Sequence, residues 1–209
     1  MKLGRFIYMW VTSTANMHLN ENKHHLDWMA GPHMLVQALS RSCEFQAPFV
    51  QRIFEGVSEY LCDEQSLLGV VENSCHTREV FLSGNGKRCY FARTVIPKCT
   101  HDKYQASFEK LGDQPLGDTL LYGNKSTTWS DFKYAVIDAA NDYFIKCGLD
   151  DKEEQLGARQ RIFYLEGLKQ FPILITEVFL PSIPEYIPEL EASAPVADEA
   201  TSCSARTPC

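Results

Sequence analysis

Residues 76–96 read His76-Thr77-Arg78-Glu79-Val80-Phe81-Leu82-Ser83-Gly84-Asn85-Gly86-Lys87-Arg88-Cys89-Tyr90-Phe91-Ala92-Arg93-Thr94-Val95-Ile96. Asn85-Gly86 tolerates the positive φ that a two-residue type I′ turn imposes on both central positions, and the flanks carry the β-branched and aromatic residues of strands. The stretch predicts an antiparallel hairpin in which Leu82 faces Cys89, Val80 faces Phe91 and Arg78 faces Arg93. Two arginines then sit side by side on a face shared with Val80, Leu82, Cys89, Phe91 and Val95. Like charges directly opposite each other destabilise a strand pair. At about 5 Å in an effective dielectric of about 20 the repulsion is on the order of 3 kcal/mol, so an anionic group is expected nearby.

Toward the C-terminus, Ile162 to Leu165 and Ile173 to Leu180 are β-rich runs joined by a loop holding Gly167. The second run is apolar enough to be buried on both faces. Glu177 lies inside it, and a carboxylate there needs a cation or hydrogen-bond partner. One glutamate does not neutralise two arginines, so a cavity holding Arg78, Arg93 and Glu177 keeps positive charge and suits a small carboxylic acid. The same residues also read as a surface arginine with its stem on apolar area and as a buried structural ion pair.

Helical spacing recurs twice. Met34, Leu35, Ala38 and Leu39 fall on one face of a segment between about 24 and 42, with Gly31-Pro32 before them. Tyr104, Phe108 and Leu111 form another such pattern, closed by Gly112 and followed by the turn Pro115-Leu116-Gly117. Phe132 to Phe144 fits a helix and a strand equally. Helices combined with antiparallel hairpins predict an α+β fold.

The chain has 209 residues, 44% hydrophobic and 22% charged, which suits one folded domain with a single core. With 20 basic against 27 acidic residues the formal charge is -7, which argues against nucleic acid as a partner. The eight cysteines include no C-x-x-C pair and are expected to be free thiols in a reducing compartment, with no metal site. Phe6 to Val11 is too short for a signal-peptide core, and no run approaches the roughly 20 apolar residues of a membrane span. A cytoplasmic protein is expected. From Ile187 onward Ala, Ser, Pro, Glu and Thr dominate, as in disordered segments. The expected organisation is an N-terminal extension over 1–25, a domain over 26–186 and a disordered tail over 187–209.

Four stretches carry a resemblance: Arg78-Glu79-Val80, Ala92-Arg93-Thr94-Val95-Ile96-Pro97, Leu111-Gly112-Asp113-Gln114-Pro115-Leu116-Gly117, and Ile175-Thr176-Glu177-Val178-Phe179-Leu180-Pro181. From about Leu26 to Tyr186 the chain resembles the chorismate pyruvate-lyase family of the ubiquinone pathway. The resemblance implies an antiparallel sheet with helices inserted on one side and an enclosed site. It also implies Met34, Arg78, Leu116 and Glu177 as substrate contacts, with Arg93 as an additional cavity cation. Met34 and Leu116 would act through backbone groups and as flaps; apart from the resemblance both read as core residues.

The implied reaction eliminates pyruvate from chorismate to give 4-hydroxybenzoate. Arg78 would grip the ring carboxylate with its planar fork, Arg93 would take the side-chain carboxylate, and Glu177 would hydrogen-bond the hydroxyl. Arg78 and Glu177 are the expected catalytic residues. Such a redox-neutral elimination needs no cofactor, and the chain has neither G-x-G-x-x-G nor a P-loop. A monomer is the family expectation. Two alternatives remain at this level: a non-catalytic small-carboxylate-binding module of the same fold, and a related chorismate-processing enzyme giving a different hydroxybenzoate. Such modules accompany a DNA-binding helix-turn-helix, for which the region before Leu26 is short and poor in basic residues. Between Asp138 and Gln160 the chain has extra residues, including the acidic run Asp150-Asp151-Lys152-Glu153-Glu154, expected as a solvated loop.

Overall fold

The computed structural model describes residues 9–15, 17, 19, 23–31, 34–44, 46–61, 63–122, 124–149 and 155–189. The quoted stretch is a hairpin of β2 (Ser74–Gly84) and β3 (Lys87–Ile96), with Asn85 at φ 51° and Gly86 at φ 74°. Next to the turn the register is the expected one, Gly84 facing Lys87 and Ser83 facing Arg88. Cys89 is then an extra residue: past this bulge Leu82 faces Tyr90, Val80 faces Ala92 and Arg78 faces Thr94. A slip of one residue turns every following side chain to the other face. Arg93 therefore faces Glu79, not Arg78, and the expected pair of adjacent arginines does not form. The bulge fits its surroundings. The Cys89 thiol donates to Lys87 O at 3.3 Å, and a Cβ on Gly84 would lie 2.4 Å from Cys43 Sγ, so Gly84 lets this end of the hairpin approach the helix above it.

The hairpin is the middle of a seven-stranded antiparallel sheet in the order β1-β2-β3-β7-β6-β4, with β5 also paired to β6. The other strands are β1 (Phe49–Glu59), β4 (Thr128–Trp129), β5 (Lys133–Ile137), β6 (Leu156–Tyr164) and β7 (Pro172–Phe179). Sequence periodicity does not reveal β1. It is an edge strand whose Phe49, Ile53, Phe54 and Val57 are exposed, so no alternation of buried and exposed positions marks it. The ambiguous 132–144 region resolves into both of its readings in turn. It forms β5 and then α5 (Asp142–Cys147), whose start is capped by Asn141 Oδ1 accepting from Tyr143 N at 2.9 Å.

Helices α1 (Lys23–Ala30) and α2 (Leu35–Ser42) lie over one face of the sheet. They bury Trp28, Met29, Leu35, Ala38 and Leu39 against Val80, Leu82, Tyr90 and Phe179. On the same face α4 (Lys98–Glu109) and the loop after it pack Phe108, Leu111, Leu116 and Leu121 on Phe163 and Ile173. Gly112, at φ 53°, makes the left-handed turn that brings this loop back over the sheet. On the other face α3 (Glu64–Leu68) and α5 cover Phe81, Phe91, Val95 and Val178. The whole is a single α+β domain built on an antiparallel sheet.

Packing does not break at residue 25. Val11 and Tyr134 exchange backbone hydrogen bonds of 2.8 Å, Trp10 meets the Tyr143 ring edge-on, and Leu19 and His25 are buried. Trp10, Met17, Leu19 and His25, which fall in the expected extension, pack into the core. Residues 190–209 of the expected tail and the acidic run 150–154 lie outside the described residues. Cys43, Cys75, Cys89, Cys99 and Cys147 are free thiols. Among the described residues no helix is long and apolar enough to cross a membrane.

Candidate active site

The sheet register sets out the site as two cross-strand rows on the face beneath α1 and α2. One runs Arg78, Thr94, Ile175, Arg161 and the next runs Val80, Ala92, Glu177, Arg159. Directly paired residues project to the same side of a sheet, and strands lie about 4.8 Å apart, so the two ends of a row are separated by roughly 14 Å at Cα. Over these rows is a cavity, part of it open to solvent, whose walls include Met34, Arg78, Leu116, Tyr122, Arg161 and Glu177. Most of its remaining lining is apolar, from residues such as Leu35, Val80, Leu82 and Ile175.

Arg78 is buried at one end. Its Nη1 donates to Glu55 Oε2 at 3.1 Å and its Nη2 to Gln114 O at 3.2 Å, so it ties β1 to the loop carrying Leu116. Burial lowers its pKa, with the Glu55 carboxylate acting in the opposite direction. Arg52 shares Glu55 and reaches Asp113 at 3.4 Å, which joins the loop to the edge strand a second time.

Glu177 comes from the middle of β7. Its Oε2 accepts from Arg159 Nε at 2.6 Å, which makes Glu177 the acceptor of a charge-assisted bond. Arg159 is itself held from behind: Nη1 donates to Trp28 O and Met29 O, each at 3.3 Å, near the C-terminal end of α1, where carbonyls lack helical partners.

Arg161 closes the far end of the first row. Its guanidinium lies 3.5 Å from the Phe132 ring centroid, within 6 Å of Trp129 and Phe163, and hydrogen-bonds the Tyr122 hydroxyl. Stacking on an aromatic face fixes the plane of the fork. Burial lowers the Arg161 pKa and raises that of Tyr122. Arg159 pairs with Glu177 and Arg78 with Glu55, so the guanidinium groups of Arg78 and Arg161 stand at the two ends of a largely apolar chamber. That arrangement suits a small organic dianion, whose charges interact more strongly with the protein in a dry site than in water.

Of the residues predicted from sequence, Met34, Arg78, Leu116 and Glu177 come together around this cavity. Met34 is the residue just before α2, and Leu116 immediately precedes the π-helical turn 117–121. Arg93 does not join them. The bulge at Cys89 turns it to the opposite face, where it is 1% exposed. There Nε and Nη2 grip both Glu64 carboxylate oxygens at 2.8 and 3.1 Å, and Nη1 donates to Glu79 Oε1 at 2.6 Å. Tyr143 Oη also donates to Glu64 at 2.8 Å, and Lys146 pairs with Glu79 at 2.8 Å. Burial works against the Arg93 charge, but the two carboxylates outweigh it and hold its pKa above the usual value. Arg93 is a structural cross-link between α3, β2, β3 and α5, with no access to a cavity ligand.

Arg159 and Arg161 lie outside the strand expected from Ile162 onward, because β6 begins at Leu156. The alternation Arg159, Arg161, Phe163 against Ala158, Gln160, Ile162 was the available signal. Among the described residues no cluster of His, Cys, Asp or Glu is arranged to hold a metal ion.

Comparison with known proteins follows the same stretches of chain. A family model described as chorismate lyase matches residues 9–186. A chorismate pyruvate-lyase of Pectobacterium carotovorum is 33% identical over 161 residues, covering 77% of this chain and 78% of that one. A probable chorismate pyruvate-lyase of Psychromonas ingrahamii is 28% identical over 184 residues, 86% of this chain and 94% of that one. Among solved structures, the C-terminal domain of PhnF shares the fold at a TM-score of 0.56 with 10% identity, over 78% of this chain and 96% of that one. Because the match spans the hairpin, the loop over the cavity and the Glu177 strand, the chain belongs to the chorismate lyase family.

Proposed function

We propose that this protein eliminates pyruvate from chorismate and leaves 4-hydroxybenzoate, the ring acid used in ubiquinone biosynthesis. The observation that carries the reading is the placement of Arg78 and Glu177 on adjacent rows of one largely apolar cavity. Chorismate has a ring carboxylate, a hydroxyl at the opposite end of the ring, and an enolpyruvyl ether beside that hydroxyl. Arg78 holds the ring carboxylate, which takes over or shares the donors now directed at Glu55 and Gln114. Glu177, kept as an acceptor by Arg159, receives the hydroxyl hydrogen bond.

The ring-to-ether C–O bond breaks, and the hydrogen on the hydroxyl-bearing ring carbon moves to the enolpyruvyl methylene, which becomes the pyruvate methyl group. Atoms and electrons balance without a co-reactant, and aromatisation supplies the driving force. The step is intramolecular, so the protein contributes orientation and a dry site, worth several kcal/mol or more. Met34 and Leu116 cover the ring. The family resemblance supports a cytoplasmic monomer.

The test is to incubate purified protein with chorismate and identify the released acids by chromatography, with pyruvate followed by coupled reduction to lactate. Equal amounts of pyruvate and 4-hydroxybenzoate are expected. A different hydroxybenzoate would make it a related chorismate-processing enzyme. Tight binding of 4-hydroxybenzoate without turnover would make it a binding module.

A further inference from the structure

We infer that Arg161 is the residue that selects substrate over product, holding the enolpyruvyl carboxylate while Arg78 holds the ring carboxylate. The inference rests on the proposed lyase reading and assigns the half of the substrate that Arg93 was expected to bind.

Register is the first support. Arg78 and Arg161 end the same row, linked through Thr94 and Ile175, so both project from the same face toward one chamber. Order along the row is the second. In chorismate the ether oxygen and the hydroxyl occupy neighbouring ring carbons, away from the ring carboxylate. A matching site needs its second cation beside the hydroxyl acceptor and remote from the first cation. Arg161 on β6 is two residues from Arg159, the partner of Glu177, and lies on the strand adjacent to β7, whereas Arg78 on β2 is two strands from β7.

The third support is the mounting of the guanidinium. Arg161 lies flat on Phe132 and is hydrogen-bonded to Tyr122, a setting that fixes its plane and keeps it on the cavity wall. A planar fork fixed in this way is suited to a carboxylate arriving from the cavity.

The consequence concerns product release. 4-Hydroxybenzoate retains the groups that Arg78 and Glu177 hold but has lost the carboxylate that Arg161 holds. Cleavage of the ether thus separates the two cationic contacts into two molecules, and pyruvate leaves with the Arg161 contact. Arg161 is therefore the cavity cation that senses whether the side chain is still attached.

The test compares wild type with Arg161→Met, which can still pack on Phe132, and Arg161→Lys, which keeps the charge but not the fork. Binding is measured by calorimetry for 4-hydroxybenzoate and for 3-(1-carboxyvinyloxy)benzoate, a stable ether bearing both carboxylates. Arg161→Met should weaken the dicarboxylate on the order of 100-fold while changing 4-hydroxybenzoate by less than about threefold. Arg161→Lys should recover part of the loss. Equal weakening of both ligands, or no change in either, would overturn the assignment. These ligands need no turnover, so the result stands apart from the reaction test: a wild type that binds both acids but leaves chorismate intact refutes the lyase reading and not the two-carboxylate site.

Discussion

Replacing Arg93 with methionine separates a structural arginine from a ligand-binding one. The side chain makes three hydrogen bonds to buried carboxylates, two to Glu64 and one to Glu79, and Glu64 is 0% exposed. Bonds to charged groups contribute about 1.5–3 kcal/mol each, so the gross loss is about 4–9 kcal/mol. Part of it is recovered, because Glu64 keeps the Tyr143 hydroxyl and Leu61 N, and Glu79 keeps Lys146. The net cost should fall near the roughly 3–5 kcal/mol seen when one partner of a buried ion pair is removed. For a domain of this size that corresponds to a fall in Tm of about 6–20 °C. The assay is urea and thermal unfolding by circular dichroism, with 4-hydroxybenzoate affinity measured well below the transition. Affinity should be close to wild type. A variant of nearly wild-type stability that no longer binds the acid would refute the reasoning and return Arg93 to the cavity.

Three further outcomes are expected. Arg78→Ala should reduce kcat/KM for chorismate by orders of magnitude through loss of the ring-carboxylate grip, and near wild-type kinetics would remove Arg78 from the site. Glu177→Gln keeps a hydrogen-bond acceptor, so kcat should fall by no more than about tenfold while ligand binding weakens; a loss near a thousandfold in kcat with unchanged KM would instead make Glu177 a proton-transfer group. Burial lowers the His25 pKa to about 4, and its ring accepts from Gly157 N and hydrogen-bonds Leu180 O. The unfolded chain therefore binds more protons between about pH 6.5 and 4, and stability should fall through that window by on the order of 3 kcal/mol as pH drops. Urea unfolding of His25→Gln should lack that part of the slope; an unchanged slope would exclude His25 as its source.

The hairpin was readable because Asn85-Gly86 has few other uses between two β-rich runs, and the β7 strand was readable from its largely apolar, β-rich character. Arg78 and Glu177 stood out as charges within such strands, and their places on β2 and β7 follow from local sequence alone. Local sequence did not determine where β6 starts. Its first half alternates arginine with small or polar residues, which resembles a surface segment until α1 covers the same face and Glu177 supplies a partner for Arg159. The exposed edge strand β1 is likewise defined by its hydrogen bonds to β2 and not by any burial pattern of its own.

Which arginines share a chamber was decided by tertiary structure. A two-residue turn fixes pairing near the turn, but one extra residue farther along reverses the faces of all that follows, because side chains alternate with a period of two. Whether Cys89 bulges depends on how closely Gly84 can approach Cys43, just past the overlying α2, and on whether Glu64 and Glu79 await Arg93 on the far side. Cys43 and Glu64 lie far from Cys89 in sequence. Amino-acid order determined the antiparallel hairpins and the Arg78 and Glu177 positions; packing between distant segments moved Arg93 into the core and put Arg161 in the cavity.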